Sequence, residues 1–425
     1  MLLRAAVVLP LVRPPIRDGA VLISRGRIRE VGPWRELCSA ARRHEDLGEA
    51  ILMPGLVNAH CHLDYTHMAG QFVLPKLFSD WLKLITTAKS SWSLEEYEQS
   101  WKSGAQMLLR TGSTTVADIE AVRGLLPRMW ESTPLRVLSF MEMIGLTGRR
   151  QPDTILQEAI DHILALGASR FRAGLAPHAP YSTLPELLRL SARAARRRRW
   201  RLCTHVGESA LEFEMFTHAR GEMYDWLARS KRDMSDCGLG SPVEHLERCG
   251  VLGPNLLAIH ANYLGERDAE LLGRRGVHVV HCPRSHSYFR HEPFPLRRLS
   301  AARVNVCLGT DSLASVTRHR RQSIELSLFE EMRVLAQHQP WLSARTILKM
   351  ATVNGARALG MEGRVGQLTQ AANADLIAIP FSGSNADAYE AVLHHKGEVV
   401  ASMINGQWAI PPHGASVPEP VVAQP

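Results

Sequence analysis

Hydrophobic and polar positions alternate differently in three parts of this chain. From residue 1 to about 50, short alternating segments (AAVVLPLV, GAVLIS, RIREVG) are separated by Gly, Pro and Arg, the pattern of antiparallel strands. The long middle repeats a short apolar strand followed by an amphipathic helix. Eight strand candidates can be picked out: LVNAH, STTVAD, LRVLSFM, FRAGLA, WRLCTHV, LLAIHA, VHVVHC and VNVCLGTD. Helical stretches follow them, EEYEQSWKSGAQMLLR after the first and SIELSLFEEMRVLAQ after the last. Strand-like segments return at ADLIAIP and VVASMINGQWAI.

Eight strands alternating with helices over some 300 residues predict an α/β fold, a (β/α)8 barrel of the TIM type. The strand-rich ends predict one small β-sandwich domain built from both termini. The expected boundaries are residues 1–52 plus 364–425 for the small domain and 53–363 for the barrel. The last stretch, PPHGASVPEPVVAQP, is proline-rich and reads as a loose tail.

Composition narrows the options only slightly. At 425 residues, 45% hydrophobic and 22% charged, the chain has an ordinary globular composition. No apolar run reaches the ~18 residues of a membrane span. MLLRAAVVLPLV is apolar but lacks a cleavage site and reads as a first strand. Seven cysteines are scattered without CxxC pairs, several in apolar runs (Cys203, Cys282, Cys307), which points to reduced, buried thiols and a cytoplasmic setting. The net charge is +8, and much of the excess sits in Arg193, Arg196 to Arg199 and Arg201. A nucleic-acid reading of that cluster competes with a solvated helix face. The latter is favoured, because no basic groove interleaved with aromatics accompanies it.

The candidate chemistry lies at the strand ends. His60 and His62, one residue apart in VNAHCHLDYT, project to one side of an extended chain and suit capture of a divalent metal. In a barrel of this type, functional groups occupy the C-terminal ends of the strands. Here the fourth strand ends near His178, the fifth at His205, the sixth at His260, the seventh at His281 and the eighth at Asp311. His60, His62, His205 and Asp311 would make a three-nitrogen, one-oxygen site with room for water. Zn(II) suits such a set, and so does Fe(II).

PGLVNAHCHLDYT, THVGES, LAIHANYL, HCPRSHSYF and LGTDSLAS together resemble the motif set of the amidohydrolase superfamily. The nearest resemblance is to its cytosine deaminase-like branch, with S-adenosylhomocysteine, methylthioadenosine and aminodeoxyfutalosine deaminases and the triazine hydrolases. It extends over nearly the whole chain. GRVGQLTQAANADLIAI resembles the glycine-rich return into the small domain, with polar residues where a further Gly is common.

The resemblance implies one divalent metal on His60, His62, His205 and Asp311, Glu208 as proton shuttle, and His260 as partner of the metal-bound water or substrate. Asp311 would also accept the water proton. FRAGLAPHAP lacks the bridging lysine of binuclear members, hence a single ion. Substrate contacts are expected from His178, Trp81 (in a segment covering the pocket), Glu142, Arg284 and His286; relatives more often carry Asn at this last position. Loop ordering is the competing role for His178, and helix packing for Trp81. His281 is expected to fix a loop.

The implied activity is hydrolytic deamination of an aminated purine or adenosine derivative, by attack of metal-bound hydroxide with release of ammonia. The alternatives are a triazine-type hydrolase, a guanine or cytosine deaminase, and, in another class, a non-catalytic metal-binding protein. The partners expected are a small heterocyclic substrate and a second copy of the chain in a homodimer, with neither nucleic acid nor membrane.

Overall fold

The structure, a computed structural model, describes residues 1–73, 76–167, 172–317 and 324–412. The proline-rich tail lies from residue 413 onward outside the described residues.

All eight predicted barrel strands form: Leu56–Cys61, Ser113–Glu120, Arg136–Met143, Arg172–Pro177, Leu202–Val206, Leu256–His260, His278–His281 and Asn305–Leu308. They pair in sequence order, each parallel to the next. A parallel bridge from Cys61 to Asp311 joins the last strand's exit to the first. The lumen is filled by every second residue of a strand, as period-two alternation requires: Leu138 and Phe140, Cys203, Leu257 and Ile259, Val280, Cys307. Continuing the same rows beyond the apolar plug gives Glu142 after Phe140 and His205 after Cys203. The barrel is therefore a packed core below and a polar rim above.

Helices pack on the outside. Leu94–Arg110 starts with a capping box in which Ser93 and Glu96 satisfy each other's backbone N–H. The helix expected from Ser323 begins only at Leu328. Ser323 itself lies outside the described residues, and Ile324 to Leu326 are not helical. Two hydrogen bonds explain the late start. The Ser327 side chain caps by accepting the Glu330 N–H, and Arg284 draws off the Glu325 carbonyl at 2.9 Å.

The two termini share one mixed sheet of eight strands. Gln407–Ile410, Ala401–Ile404, Leu376–Pro380, Ala50–Pro54, Leu2–Val8, Ile16–Ser24 and Arg27–Pro33 lie side by side, and His44–Asp46 adds to Leu2–Val8. The ends meet where Ala50–Pro54 pairs antiparallel with Leu376–Pro380. The N-terminal part departs from a purely antiparallel reading. His44–Asp46 and Ala50–Pro54 run parallel to Leu2–Val8, because the chain first completes a hairpin and the turn Trp34–Leu37 before returning. Gly55 joins this sheet to the barrel. A Cβ there would fall 2.1 Å from Thr114 Oγ1, so only glycine lets the two strands succeed each other so closely.

Candidate active site

The first strand delivers His60 within it and His62 immediately after it, with ring centroids 4.9 Å apart. Both imidazoles face Asp311. His60 Nε2 and His62 Nε2 lie 3.6 and 3.7 Å from the same oxygen, Oδ1. Asp311 takes φ +54° at the exit of the eighth strand. Its neighbour Gly309 lies so close to His60 that a Cβ would sit 2.8 Å from the His60 carbonyl oxygen. His205 joins from the fifth strand, 5.1 Å from the His60 ring. Its Nδ1–H donates to the His178 carbonyl at 2.9 Å, so Nε2 carries the free lone pair and faces inward. His260 ends the sixth strand with φ +71°, and the following Ala261 has φ +50°. Non-glycine residues in that region are strained, and strain of this kind clusters where a side chain must be aimed.

These groups can reach one ion. Candidate ligand atoms of His60, His205 and His260 lie within 4.8 Å of one another, and so do those of His60, His62 and Asp311. Both ring nitrogens of His60, Nδ1 of His62 and Nε2 of His260 are buried without a hydrogen-bond partner among the described residues. Orphaned lone pairs in a dry site cost free energy unless something takes them up, and a cation does so. The protonation states agree. Burial first, then neighbouring histidines, hold His62 and His205 well below the ordinary imidazole value, and burial takes His260 down to about 3. Burial alone would raise Asp311, but the adjacent His60, His260 and His62 outweigh it and keep the carboxylate ionised. Neutral imidazoles and an anionic carboxylate are the metal-binding forms.

Glu208 stands on the next shelf, three residues beyond His205 and one before the Ser209 cap of helix Ala210–His218. Its Oε1 is 3.3 Å from His260 Nε2. Burial, then the charges of Asp311 and Glu212, push its carboxyl well above the usual range, which favours its protonated form. Its backbone is pinned twice. The Glu208 N–H donates to Glu212 Oε2 at 2.9 Å, and Asn262 Nδ2 donates to the Glu208 carbonyl at 3.0 Å.

His62, His205, Glu208, His260 and Asp311 line a cavity of about 110 Å3. Of the expected substrate contacts, Trp81, Glu142 and His178 reach its wall. Trp81 comes from helix Phe78–Ser90, which presents Trp81, Leu82, Ile85, Thr86 and Lys89 to the cavity at helical spacing and covers it. Glu142 lies 4.0 Å from both Lys89 Nζ and His178 Nε2. Arg284 and His286 do not line the cavity. Arg284 is tied to buried Glu331 at 2.5 Å, and His286 Nδ1 donates to Asn262 Oδ1 at 3.1 Å. His281 stacks on Phe294 with ring centroids 3.7 Å apart. Sequence reading passed over Lys89, Tyr65, Tyr181, Glu212 and Asn262. The stripe 78, 81, 82, 85, 86, 89 carried the signal for Lys89, and the spacing of four from Glu208 carried it for Glu212.

A parallel eight-stranded barrel with a His/Asp cluster at the carboxyl rim defines a class of barrel hydrolases. Within that class the chain belongs to the amidohydrolase family, whose pattern matches residues 51–409. It is 32% identical over 396 residues to a 5-methylthioadenosine/S-adenosylhomocysteine deaminase of Syntrophobacter fumaroxidans, covering 85% of this chain and 80% of that one. It is 31% identical over 366 residues to a 5'-deoxyadenosine deaminase of Methanoregula boonei, covering 80% and 75% of the two chains. Among solved structures, an adenosine deaminase of Xanthomonas campestris with bound zinc superposes with a TM-score of 0.81 at 25% identity, over 96% of this chain and 92% of that one. The Helicobacter pylori aminofutalosine deaminase, in complex with methylthio-coformycin, shares the fold with a TM-score of 0.84 at 21% identity, over 96% and 99%. The family and its deaminase relatives make this chain a hydrolytic enzyme. No helix among the described residues is long and apolar enough to cross a membrane.

Proposed function

We propose that the chain is a metal-dependent hydrolytic deaminase of an aminated purine, with an adenosine derivative as substrate. The observation that carries this reading is the pairing of Glu208 with His260 at 3.3 Å beside Asp311, with candidate ligand atoms of all three within 4.8 Å. A structural metal site has no use for a buried glutamate, its protonated form favoured, next to its ligands. His60, His62, His205 and Asp311 would hold one divalent ion; zinc fits the donor set, and Fe(II) does too. Such an ion, when bound, activates water for attack at neutral pH.

This chain's own residues do the rest. Asp311, kept ionised, accepts the proton that the water gives up. Glu208, its protonated form favoured by burial, donates to the ring nitrogen next to the amino-bearing carbon and is reprotonated by the new hydroxyl group as the carbonyl forms, while Asp311 passes the water's proton to the amine, which leaves as ammonia. His260 holds a neutral ring toward the attacking oxygen and steadies developing charge. Glu142, His178 and Trp81 contact the substrate from the cavity wall. The buried, unpaired thiols of Cys61, Cys203, Cys282 and Cys307 support a reducing, cytoplasmic setting.

One observation favours a second reading. The cavity of about 110 Å3 is smaller than the ~300–1,000 Å3 of common ligand pockets and nearer one ring than a nucleoside. A guanine, cytosine or triazine hydrolase would use the same centre, while a nucleoside needs more room than this cavity gives. Ammonia release from adenosine, methylthioadenosine, S-adenosylhomocysteine, 5'-deoxyadenosine, guanine and cytosine separates the two. Preference for one adenosine derivative, abolished in Glu208→Gln, is expected. Turnover of a free base alone moves the assignment to the second reading, and full activity in Glu208→Gln removes the mechanism.

A further inference from the structure

The amino-terminal end of the barrel, opposite the His/Asp centre, carries charge that the reaction does not use. A crevice of about 240 Å3 opens there between the barrel and the small sheet. Its wall brings together Arg136 and Arg172 from the starts of the third and fourth barrel strands, Arg364 from the return segment and Arg27 from the small sheet. Met361, Asn373 and Asn405 complete it, and no Asp or Glu lines it among the described residues. Buried Asp375, behind Arg136, is already occupied by that arginine at 3.0 Å and by the Asn405 N–H at 2.8 Å.

The remaining cations form no ion pair among the described residues, and Asp375, which Arg27 feels at longer range, is already held by Arg136. Arg27 donates to the carbonyl of Ala371 at 2.9 Å, and Arg172 and Arg364 make no side-chain hydrogen bond or ion pair among the described residues. Burial, then repulsion from Arg364 and Arg136, lowers the pKa of Arg172. Arg201 stands close by with a single anchor, the Pro254 carbonyl at 2.7 Å; burial and then Arg172 lower its pKa as well. Arg27, Arg172 and Arg364 are exposed at the mouth of the crevice and Arg136 is buried; their mutual repulsion is screened by solvent, and an entering anion would relieve it.

We propose that this crevice is a binding site for a phosphate-bearing small molecule. Guanidinium forks match phosphate oxygens two at a time, and several such forks around one point call for a dianion with multiple acceptor oxygens. The arginines surround a concavity and do not run along an extended track, which favours a small ligand over a nucleic-acid strand. Because the wall is shared by the barrel and the small sheet, an occupied site clamps the two together, and binding raises thermal stability by mass action.

The test uses the metal-loaded full chain in phosphate-free buffer, titrated calorimetrically with inorganic phosphate, UDP and uridine, with melting followed in parallel. Uridine carries no ring amino group and is not turned over, and any binding of the nucleoside at the deaminase centre is common to UDP and uridine and cancels in the comparison. Saturable binding of UDP but not uridine, with a raised Tm, is expected. Phosphate binding as tightly as UDP identifies the free ion as the ligand, and UDP binding more tightly identifies a phosphate ester; both support the site. Arg172→Gln should weaken binding about tenfold or more, the loss of one charged fork. Arg172→Gln/Arg364→Gln should abolish it. Deaminase turnover should not change, and because these substitutions relieve repulsion, Tm without phosphate should not fall. Equal affinity for uridine and UDP, wild-type affinity in the double variant, or binding of a single-stranded oligonucleotide alone would each overturn the proposal.

Discussion

Asn58 and Thr310 bind each other twice across the seam of the barrel. Asn58 Nδ2 donates to Thr310 Oγ1 at 2.8 Å, and the Thr310 N–H donates back to Asn58 Oδ1 at 3.1 Å. The latch lies beside His60 and Asp311, the first and last members of the proposed ligand set. Their separation is therefore set by this pair as much as by the strands that carry them.

Asn58→Ala should remove both latch hydrogen bonds, while the Thr310 N–H keeps the His60 carbonyl at 3.0 Å, and cost about 0.5–1.5 kcal/mol of stability for each bond lost. It should also loosen metal binding. Urea unfolding and metal retention after dialysis test both, and in wild type a chelator should lower Tm because the ion binds only the folded chain. Unchanged metal retention in Asn58→Ala would dissociate the latch from the site.

Arg284 offers a contrast, since sequence placed it near substrate and the structure ties it to Glu331. Arg284→Met strands a buried carboxylate, a loss of about 3–5 kcal/mol, while kcat/KM of the folded fraction should hold within about threefold. Arg284→Met/Glu331→Leu should recover most of the stability. A large fall in kcat/KM with stability intact would return Arg284 to the substrate.

Glu212 should make stability depend on pH. Burial raises its carboxyl to about 7, against the Glu208 and Gly207 N–H groups that lower it. The folded pKa lies above the unfolded value of about 4.3, so this contribution is fully present below about pH 4.3 and is lost as pH rises through 7. Glu212→Gln keeps an acceptor for the Glu208 N–H and cannot ionise, so its melting temperature should fall less between pH 5 and 8. Parallel slopes for the two proteins would show that Glu212 does not titrate there.

Glu142 faces the cavity with no hydrogen bond to its carboxylate among the described residues and with Lys89 and His178 at 4.0 Å. An acceptor kept open in this way is available to donors on the substrate, the role proposed for it. Glu142→Gln should raise KM about tenfold with little change in kcat. A fall in kcat at unchanged KM would assign Glu142 to the chemical step instead.

The parts legible in the sequence share one property: each is local. Strand alternation marked all eight barrel strands, from Leu56–Cys61 to Asn305–Leu308, because period two follows from chain geometry alone. Polar residues at successive strand exits, His60, His205, His260 and Asp311, marked one rim, because parallel strands all end on the same side. Lys89, Glu142 and His178 are different. They meet because helix Phe78–Ser90 folds back over strands that lie far away in sequence, and no spacing along the chain encodes that angle.

By itself the sequence determined the barrel, the return of both termini into one sheet, and the residues at the strand exits. All of these follow from short-range periodicity and from the rule that parallel strands need crossovers. Only the tertiary structure decided that Arg284 faces Glu331, that Glu208 is held by Glu212, and that Arg27, Arg136, Arg172 and Arg364 share one crevice. Those relations join residues up to 337 positions apart through side-chain packing, and their energies depend on burial, which exists only once the chain has closed on itself.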